Sequence, residues 1–324
     1  MTVTVTKKAS NQIKISVIIL FYYGERWIKK CVDSLLNQSL PKDSYEIILV
    51  DNGGSTPSVK DYEGKANLKV LFFKKNLGFA LGNNRALPYA DGDYILLMNQ
   101  DIVVHYNCLA ELIAAFEAAS DAGTISANML MVSSRNAIDP NCTIADEAGI
   151  YRLTRLGYAA YYTKKVEHDV EPVKFASGNA LCFRKSVLND IGNYLFDERL
   201  GSYAEDLDLS IRLQTTHWKM YVCPNAVVYH LRDDAFSGNA TDMLKKLFHI
   251  SSNRLLVFCE NLSPFEFLKM LPLLIIGIPF KVSRSDNDPH FHVARFTVAA
   301  GLTPFIFIYF IIRLFNFRRT EIKP

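Results

Sequence analysis

Between Ile15 and Met98 the chain alternates between two hydrophobic periods, and that alternation limits the fold more than any other feature. Ile15 to Phe21 is a β-branched, apolar run, the pattern of a parallel strand covered on both faces. Ile28, Cys31, Val32, Leu35 and Leu36 then recur at helical spacing and form one apolar face. The same reading predicts strands over 45–50, 68–73 and 94–98, a loop from Asp51 to Thr56, and helices over 78–87 and 109–119. Repeated βα units with short loops predict an α/β fold with a right-handed, doubly wound parallel sheet.

Such sheets bind ligands beyond the carboxyl ends of their strands. The second strand ends at Asp51-Asn52 and the fourth at Asn99-Gln100-Asp101, so both edges deliver a carboxylate where a nucleotide or a metal would sit. From Met129 to Val173 no strong period is present, which predicts irregular strands and loops. Beyond it come Ser177-Gly-Asn-Ala180, a short helix over 185–191, a turn at Gly192 to Glu198, and a helix from Glu205 to Gln214. Met220 to Cys223 and Ala226 to Tyr229 read as two short strands, the second ending at His230.

At these residues the chain resembles a family 2 inverting glycosyltransferase of the GT-A fold, in the rhamnosyltransferase-like branch. The likeness runs from about Lys14 to Leu231. It rests on Ser16-Val-Ile-Ile19, Val50-Asp-Asn-Gly-Gly-Ser55, Asn76-Leu-Gly-Phe-Ala-Leu-Gly-Asn-Asn-Arg-Ala86, Asn99-Gln-Asp101, Phe196-Asp-Glu198, Ala204-Glu-Asp-Leu-Asp-Leu-Ser-Ile-Arg212 and His230. Two departures stand out. Tyr22-Tyr23-Gly24 replaces the family's usual pair after the first strand, and Asn99 replaces the first carboxylate of the DxD motif, leaving one acidic ligand there.

The resemblance implies transfer of a sugar from a nucleotide-diphosphate donor, UDP- or dTDP-linked, to a glycan or lipid-linked glycan acceptor. It also implies a divalent ion, Mg2+ or Mn2+, held by Asp101 and His230. Such hard cations take oxygen ligands and keep several waters, so one carboxylate plus phosphates suffices. Asp206, with Glu205 beside it, matches the general base that takes the acceptor's proton. Both are equally at home in the first turn of a helix, where the dipole favours carboxylates.

Donor contacts are expected from Glu25, Asp51, Asn52, Asn76, Gly78, Phe79, Asn83, Asn84, Asn99 and Gln100. Asp51 accepts the imide N–H of uracil or thymine, or else caps the turn at Gly53-Gly54. Glu25 holds ribose or base, or is a first-turn helix residue. Gly78 and Gly82 let backbone approach a ligand, with the helix start facing an anion, or they serve close helix–sheet packing. Asp208 and Arg212 are spaced for an i,i+4 ion pair.

The formal net charge of +3 and the lack of a basic stripe speak against nucleic acid. The charge is uneven: from Ala235 onward 11 Lys and Arg face 6 Asp and Glu, which points the tail toward anionic lipid. The six scattered cysteines read as small core residues. Met1 to Gln12 is polar and lacks a signal peptide's apolar stretch, so the catalytic body is expected in the cytoplasm. Three segments follow: a flexible start (1–12), a catalytic domain (13–235) and a helical, membrane-associated region (236–324).

In that region Met270 to Phe280 is too short to cross a bilayer, and Phe296 to Ile312, with Pro304 inside and Arg313, Arg318 and Arg319 after it, is at the lower limit. A monotopic anchor at the cytoplasmic face of the membrane is expected, with one spanning helix over 296–312 as the alternative. Two other readings stay open. A nucleotidyltransferase would want a glycine- and basic-rich loop where Phe21-Tyr-Tyr-Gly-Glu25 stands, and a degenerate sugar-nucleotide-binding membrane protein would fit Asn99 but not Glu205-Asp206.

Overall fold

The computed structural model describes residues 3–4, 13–53, 57–65, 67–133, 147–153, 159–165, 169–232, 240–283 and 289–316. Ser55, the 1–12 start apart from 3–4, the 235/236 boundary and Arg318 and Arg319 lie outside the described residues. In chain order the first half holds β1 (Val3–Thr4), β2 (Ile15–Phe21), α1 (Glu25–Leu36), β3 (Tyr45–Asp51), α2 (Pro57–Lys60), β4 (Leu68–Phe72), α3 (Gly78–Ala86), β5 (Tyr94–Asn99), β6 (Ile102–Val104) and α4 (Cys108–Ala118). Next come β7 (Ala122–Ser133), β8 (Glu147–Leu153), β9 (Ala159–Lys165), β10 (Glu171–Val173), β11 (Ala180–Arg184), α5 (Val187–Asp190), α6 (Glu205–Gln214) and β12 (Lys219–Arg232). The chain closes with α7 (Ala240–Asn261), α8 (Pro264–Ser283) and α9 (Pro289–Asn316).

The main sheet runs β1-β4-β3-β2-β5-β11-β7-β12-β10, with β6 on β12. Its first half is the expected parallel wind: β2 pairs β3 and β5, and β3 pairs β4, all parallel. Every residue of β3 is buried, which is why the run carries no polar alternation. The second half is mixed, as a GT-A sheet that is mostly rather than wholly parallel allows. β11 enters antiparallel between β5 and β7, and only the β12–β7 pair is parallel there. A local apolar run encodes burial on both faces but not strand direction.

β12 also differs from its reading as two short strands. It is one long strand whose register against β7 shifts between Cys223 and Val227. Pro224 falls in that interval, where a missing N–H breaks the ladder, and Asn128 Nδ2 donates to its carbonyl at 2.9 Å. The loose middle of the chain contributes the β8–β9 hairpin.

Two apolar layers cover the sheet. One packs α1 and α4 through residues such as Ile28, Leu35, Leu109 and Phe116. The other packs α3, α5 and α6 through Ala80, Val187, Leu209 and Leu213. Cys31, Cys108, Cys182 and Cys223 are buried, as the core reading requires; Cys142 lies outside the described residues.

A third core joins the tail to the catalytic body. Phe175, Leu200 and Leu207 of the body pack with Leu255, Phe258, Phe267, Leu274, Ile306 and Phe310 of α7, α8 and α9. The 270–280 stretch is part of the longer α8, and 296–312 lies inside α9. Among the described residues no helix is long and apolar enough to cross a membrane. Arg313 of α9 is buried against α7 and the Arg199 carbonyl, which ties the helix to the body.

Candidate active site

β3 and β5 flank β2, so Asp51 and Asn99 end on one crevice with one strand between them. Asp51 is buried at the last position of β3, and its carbonyl accepts the Phe73 N–H at 2.9 Å. Asn52 turns inward behind it. Its Nδ2 donates to Asn76 Oδ1 at 3.0 Å and to the Gly78 carbonyl at 3.3 Å, while its Oδ1 accepts the Leu77 N–H at 3.0 Å. Gly53 follows at φ 85°, and a methyl group there would overlap the Lys75 backbone. Glu25 stands exposed in the first turn of α1.

The first amides of α3 have protein partners. The Gly78 N–H donates to Asn76 Oδ1 (2.8 Å), the Phe79 N–H to Ser202 Oγ (3.2 Å) and the Ala80 N–H to the Gly201 carbonyl (2.8 Å). Three amides that a phosphate would need are taken by protein. The glycines serve packing: a methyl at Gly78 would stand 3.0 Å from the Gly201 oxygen, and one at Gly82 would stand 2.8 Å from Leu20 Cδ1.

Asn83 and Asn84 likewise bind protein. Asn83 Nδ2 donates back to the Phe79 carbonyl at 2.9 Å. Asn84 clasps one residue of the 192–198 turn, donating to the Phe196 carbonyl at 2.7 Å and accepting its N–H at 3.1 Å.

The turn after β5 splits its three residues among three tasks. Asn99 Nδ2 donates to Asn179 Oδ1 at 3.0 Å, and the Asn99 N–H to the Asn179 carbonyl at 3.0 Å. Gln100 clasps Tyr22, accepting its N–H at 2.8 Å and donating to its carbonyl at 3.1 Å. A side chain at Gly24 would collide with that Gln100 amide, so the unusual Tyr22-Tyr23-Gly24 loop and Gln100 fit as a unit. Asp101 meets His230: Oδ2 lies 3.1 Å from Nε2 across 129 residues of sequence. The Leu231 N–H, donated to the Asp101 carbonyl at 2.9 Å, pins the two segments together.

The Asp101–His230 pair fits a divalent ion. Two ligands at ~2.1 Å in adjacent octahedral positions stand roughly 3 Å apart, close to the spacing found. The imidazole Nδ1 is buried without a hydrogen-bond partner among the described residues, so the Asp101 contact alone orients the ring's polar atoms. No cluster of three or more His, Cys, Asp or Glu occurs among the described residues, so further ligands would come from donor and water.

Asp206 reaches the same crevice from α6. Its Oδ2 accepts the Gly178 N–H at 3.3 Å, next to the Asn179 that holds Asn99, and its Oδ1 accepts the Leu207 N–H at 2.9 Å. Glu205 is only 8% exposed, and its Oε2 has no partner among the described residues. Burial pushes both carboxyls above the ordinary carboxylate range. Glu205 rises further because the Asp206 charge adds to its burial, while the Gly178 and Leu207 amides pull Asp206 back down. Two raised carboxyls side by side release their protons as a coupled pair. Asp208 and Arg212 form the expected ion pair (2.7 Å), and Arg212 also donates to the Ile191 and Leu195 carbonyls.

Sequence reading missed Asn179, Ser202, Asn253 and Arg313, all of which hold site segments by hydrogen bonds. A signal existed for one group: Ser251-Ser-Asn-Arg254 is a polar run inside an otherwise apolar stretch of α7, and all four are buried.

Comparison with known proteins agrees with this geometry. The model of a family described as "Glycosyl transferase family 2" matches residues 16–192, more than half of the chain. A poly(ribitol-phosphate) beta-N-acetylglucosaminyltransferase TarS of Staphylococcus aureus is 26% identical over 59% of this chain and 37% of its own length. An N-acetylglucosaminyl-diphospho-decaprenol L-rhamnosyltransferase of Mycobacterium tuberculosis is 26% identical over 57% of the chain and 66% of its own. The chain thus spans less than two thirds of these relatives. Among solved structures, GalNAc-T7 with UDP, GalNAc and Mn2+ superposes with a TM-score of 0.63 at 15% identity, over 95% of this chain and 59% of that one. This last likeness concerns the GT-A fold alone.

Proposed function

Because the chain belongs to glycosyl transferase family 2, we propose that it moves a sugar from a UDP- or dTDP-linked donor to a glycan or lipid-linked glycan acceptor, with inversion at the anomeric carbon. One observation carries the reading: Asp101, paired with His230, and Asp206 are linked through neighbouring Asn99, Asn179 and Gly178. Asp206, held by the Gly178 and Leu207 amides, takes the proton of the acceptor hydroxyl. The acceptor oxygen bonds to the anomeric carbon as the bond to the donor phosphate breaks, and the nucleoside diphosphate leaves with the electron pair. With one base, and no carboxylate among the described residues assigned as a nucleophile, the proposed attack comes from the face opposite the leaving group. Asp101 and His230 would hold Mg2+ or Mn2+, which supplies charge neutralisation for the departing diphosphate.

Asp51 and Asn52 are the proposed base-side contacts, with Asp51 at the crevice floor and Asn52 acting through the Asn76 to Gly78 loop. The relatives' names favour acceptors in cell-envelope polymers, one of them lipid-linked. The decisive test is Asp206→Asn. Nucleotide binding is expected to survive and transfer to be lost, and continued turnover would remove Asp206 from the base role. A thermal-shift screen of UDP-, GDP- and dTDP-sugars with Mn2+ is expected to show one rise in melting temperature, which identifies the nucleotide.

The tail is proposed as a peripheral anchor at the cytoplasmic face of the membrane. Phe265, Leu268 and Leu273 of α8 and Phe305, Ile308 and Ile312 of α9 are exposed while the opposite faces of both helices are buried. Exposed apolar side chains grouped on two adjacent helices, in a region with a basic surplus, suit anionic lipid. Flotation with phosphatidylserine-containing vesicles is expected for the wild type and to be lost in a Leu268→Asp, Ile308→Asp double variant; equal flotation of both would refute the assignment.

A further inference from the structure

The segment that presents Glu205 and Asp206 has a left-handed backbone. Gly201, Tyr203 and Ala204 have φ of 65°, 74° and 68°, so two consecutive residues with side chains occupy the region that L-residues avoid. Ala204 gives the following helix no side-chain cap. The hold on this segment comes from the tail. Asn253 of α7, fully buried, donates through Nδ2 to the carbonyls of Leu200 (2.7 Å), Ser202 (2.9 Å) and Tyr203 (2.8 Å). Its Oδ1 accepts from Arg313 of α9, whose other nitrogen donates to the Arg199 carbonyl. Four carbonyls between Arg199 and Tyr203 therefore converge on two tail side chains. The same segment turns its Gly201 carbonyl and Ser202 hydroxyl to the start of α3, so its path is fixed from both sides.

We propose that Asn253, oriented by Arg313, is a positioning residue for the acceptor-activating carboxylate, so that the tail completes the active site as well as packing on it. This rests on the assignment of Asp206 as the base. Proton removal requires the carboxylate within hydrogen-bond reach of the acceptor hydroxyl, and small displacements of a reacting group are costly. If Tyr203 and Ala204 relaxed toward the right-handed region, the first turn of α6 would pivot and carry Asp206 away from Gly178. The donor side, held by Asn52, Asn76 and Gly53, would stay as it is.

Asn253→Asp tests this. The change is isosteric and keeps an acceptor for Arg313, but it removes both donors and turns a carboxylate toward three carbonyls. Arg313→Lys keeps the charge and loses the double contact. Expected are a fall in kcat of roughly tenfold or more for Asn253→Asp and about threefold for Arg313→Lys, with affinity for UDP or dTDP by calorimetry within about twofold of wild type. Asn253→Gln, which restores the donors, is expected to recover part of the rate. Wild-type kcat in the folded Asn253→Asp enzyme overturns the proposal, as does a loss of kcat matched by an equal loss of nucleotide affinity. If Asn253→Asp does not fold, Arg313→Lys decides by the same two criteria. A dead Asp206→Asn enzyme beside a normal Asn253→Asp enzyme overturns positioning alone, whereas an active Asp206→Asn enzyme overturns the base assignment itself.

Discussion

The helices α3 and α6 both begin at the crevice, and they begin in opposite ways. The first amides of α3 are taken by Asn76, Ser202 and the Gly201 carbonyl, and its asparagines are spent on protein. α6 starts from a left-handed Ala204 with no side-chain cap and carries Glu205, Asp206 and Asp208 in its first turn. One of those carboxylates keeps a buried oxygen without a partner among the described residues. Satisfied polar groups fix a shape and cost little, while an unsatisfied buried carboxyl carries a penalty that chemistry can use. On the proposed reading, the polar start of α3 is scaffold and the polar start of α6 is reagent.

This contrast makes predictions that separate the two helices. The largest effect is expected from Asp206→Asn, a loss of roughly 10³-fold in kcat with melting temperature unchanged or raised. A substantial fall in stability there would place Asp206 with the scaffold. Next comes Asn52→Ala, which strands the Leu77 N–H and removes one of the two donors to Asn76 Oδ1. A loss of about 2 kcal/mol in denaturant unfolding is expected, with no change in the pH at which the surviving activity switches on. A displaced pH limb would break the division.

The smallest effect, a gain in stability of ~1 kcal/mol or more near pH 8, belongs to Glu205→Gln. Unfolded, the Glu205 carboxyl titrates near 4.5, and burial raises it in the native state. Between those two values the native state holds more protons than the unfolded one, so stability falls as pH rises through that interval. Glutamine cannot ionise. Its advantage in melting temperature should therefore be absent below about pH 4.5 and grow as pH rises through the native value. A gap independent of pH would mean that Glu205 is not a raised carboxyl.

The chain announced some of this plainly. The helix from Glu205 to Gln214 was legible to the residue, because three acids open it and Leu207, Leu209 and Leu213 mark its buried side. The pairing of Asp101 with His230 followed from family likeness, and the structure brings the two within 3.1 Å. Other features were legible only in kind. Asn83, Asn84 and Gln100 advertised that a hydrogen bond was needed, and sequence cannot say whether ligand or backbone supplies it. The insertion of β11 between β5 and β7 depends on pairings as distant in sequence as Leu181 with Ser126 and Arg184 with Tyr94, which no local period encodes. Asn253 was hidden for another reason: its partners are carbonyls some fifty residues away, and a carbonyl leaves no mark in a sequence.

The interruption of β12 at Pro224 reaches as far as His230. Cys223 faces Ala127 and Val227 faces Asn128, so four steps on β12 answer one on β7, and three surplus residues accumulate. Three is odd, and side chains alternate sides along a strand, so the surplus inverts the parity of every later position. The pairing of His230 with Asp101 is thus a matter of counting, decided at a proline six residues upstream of the histidine.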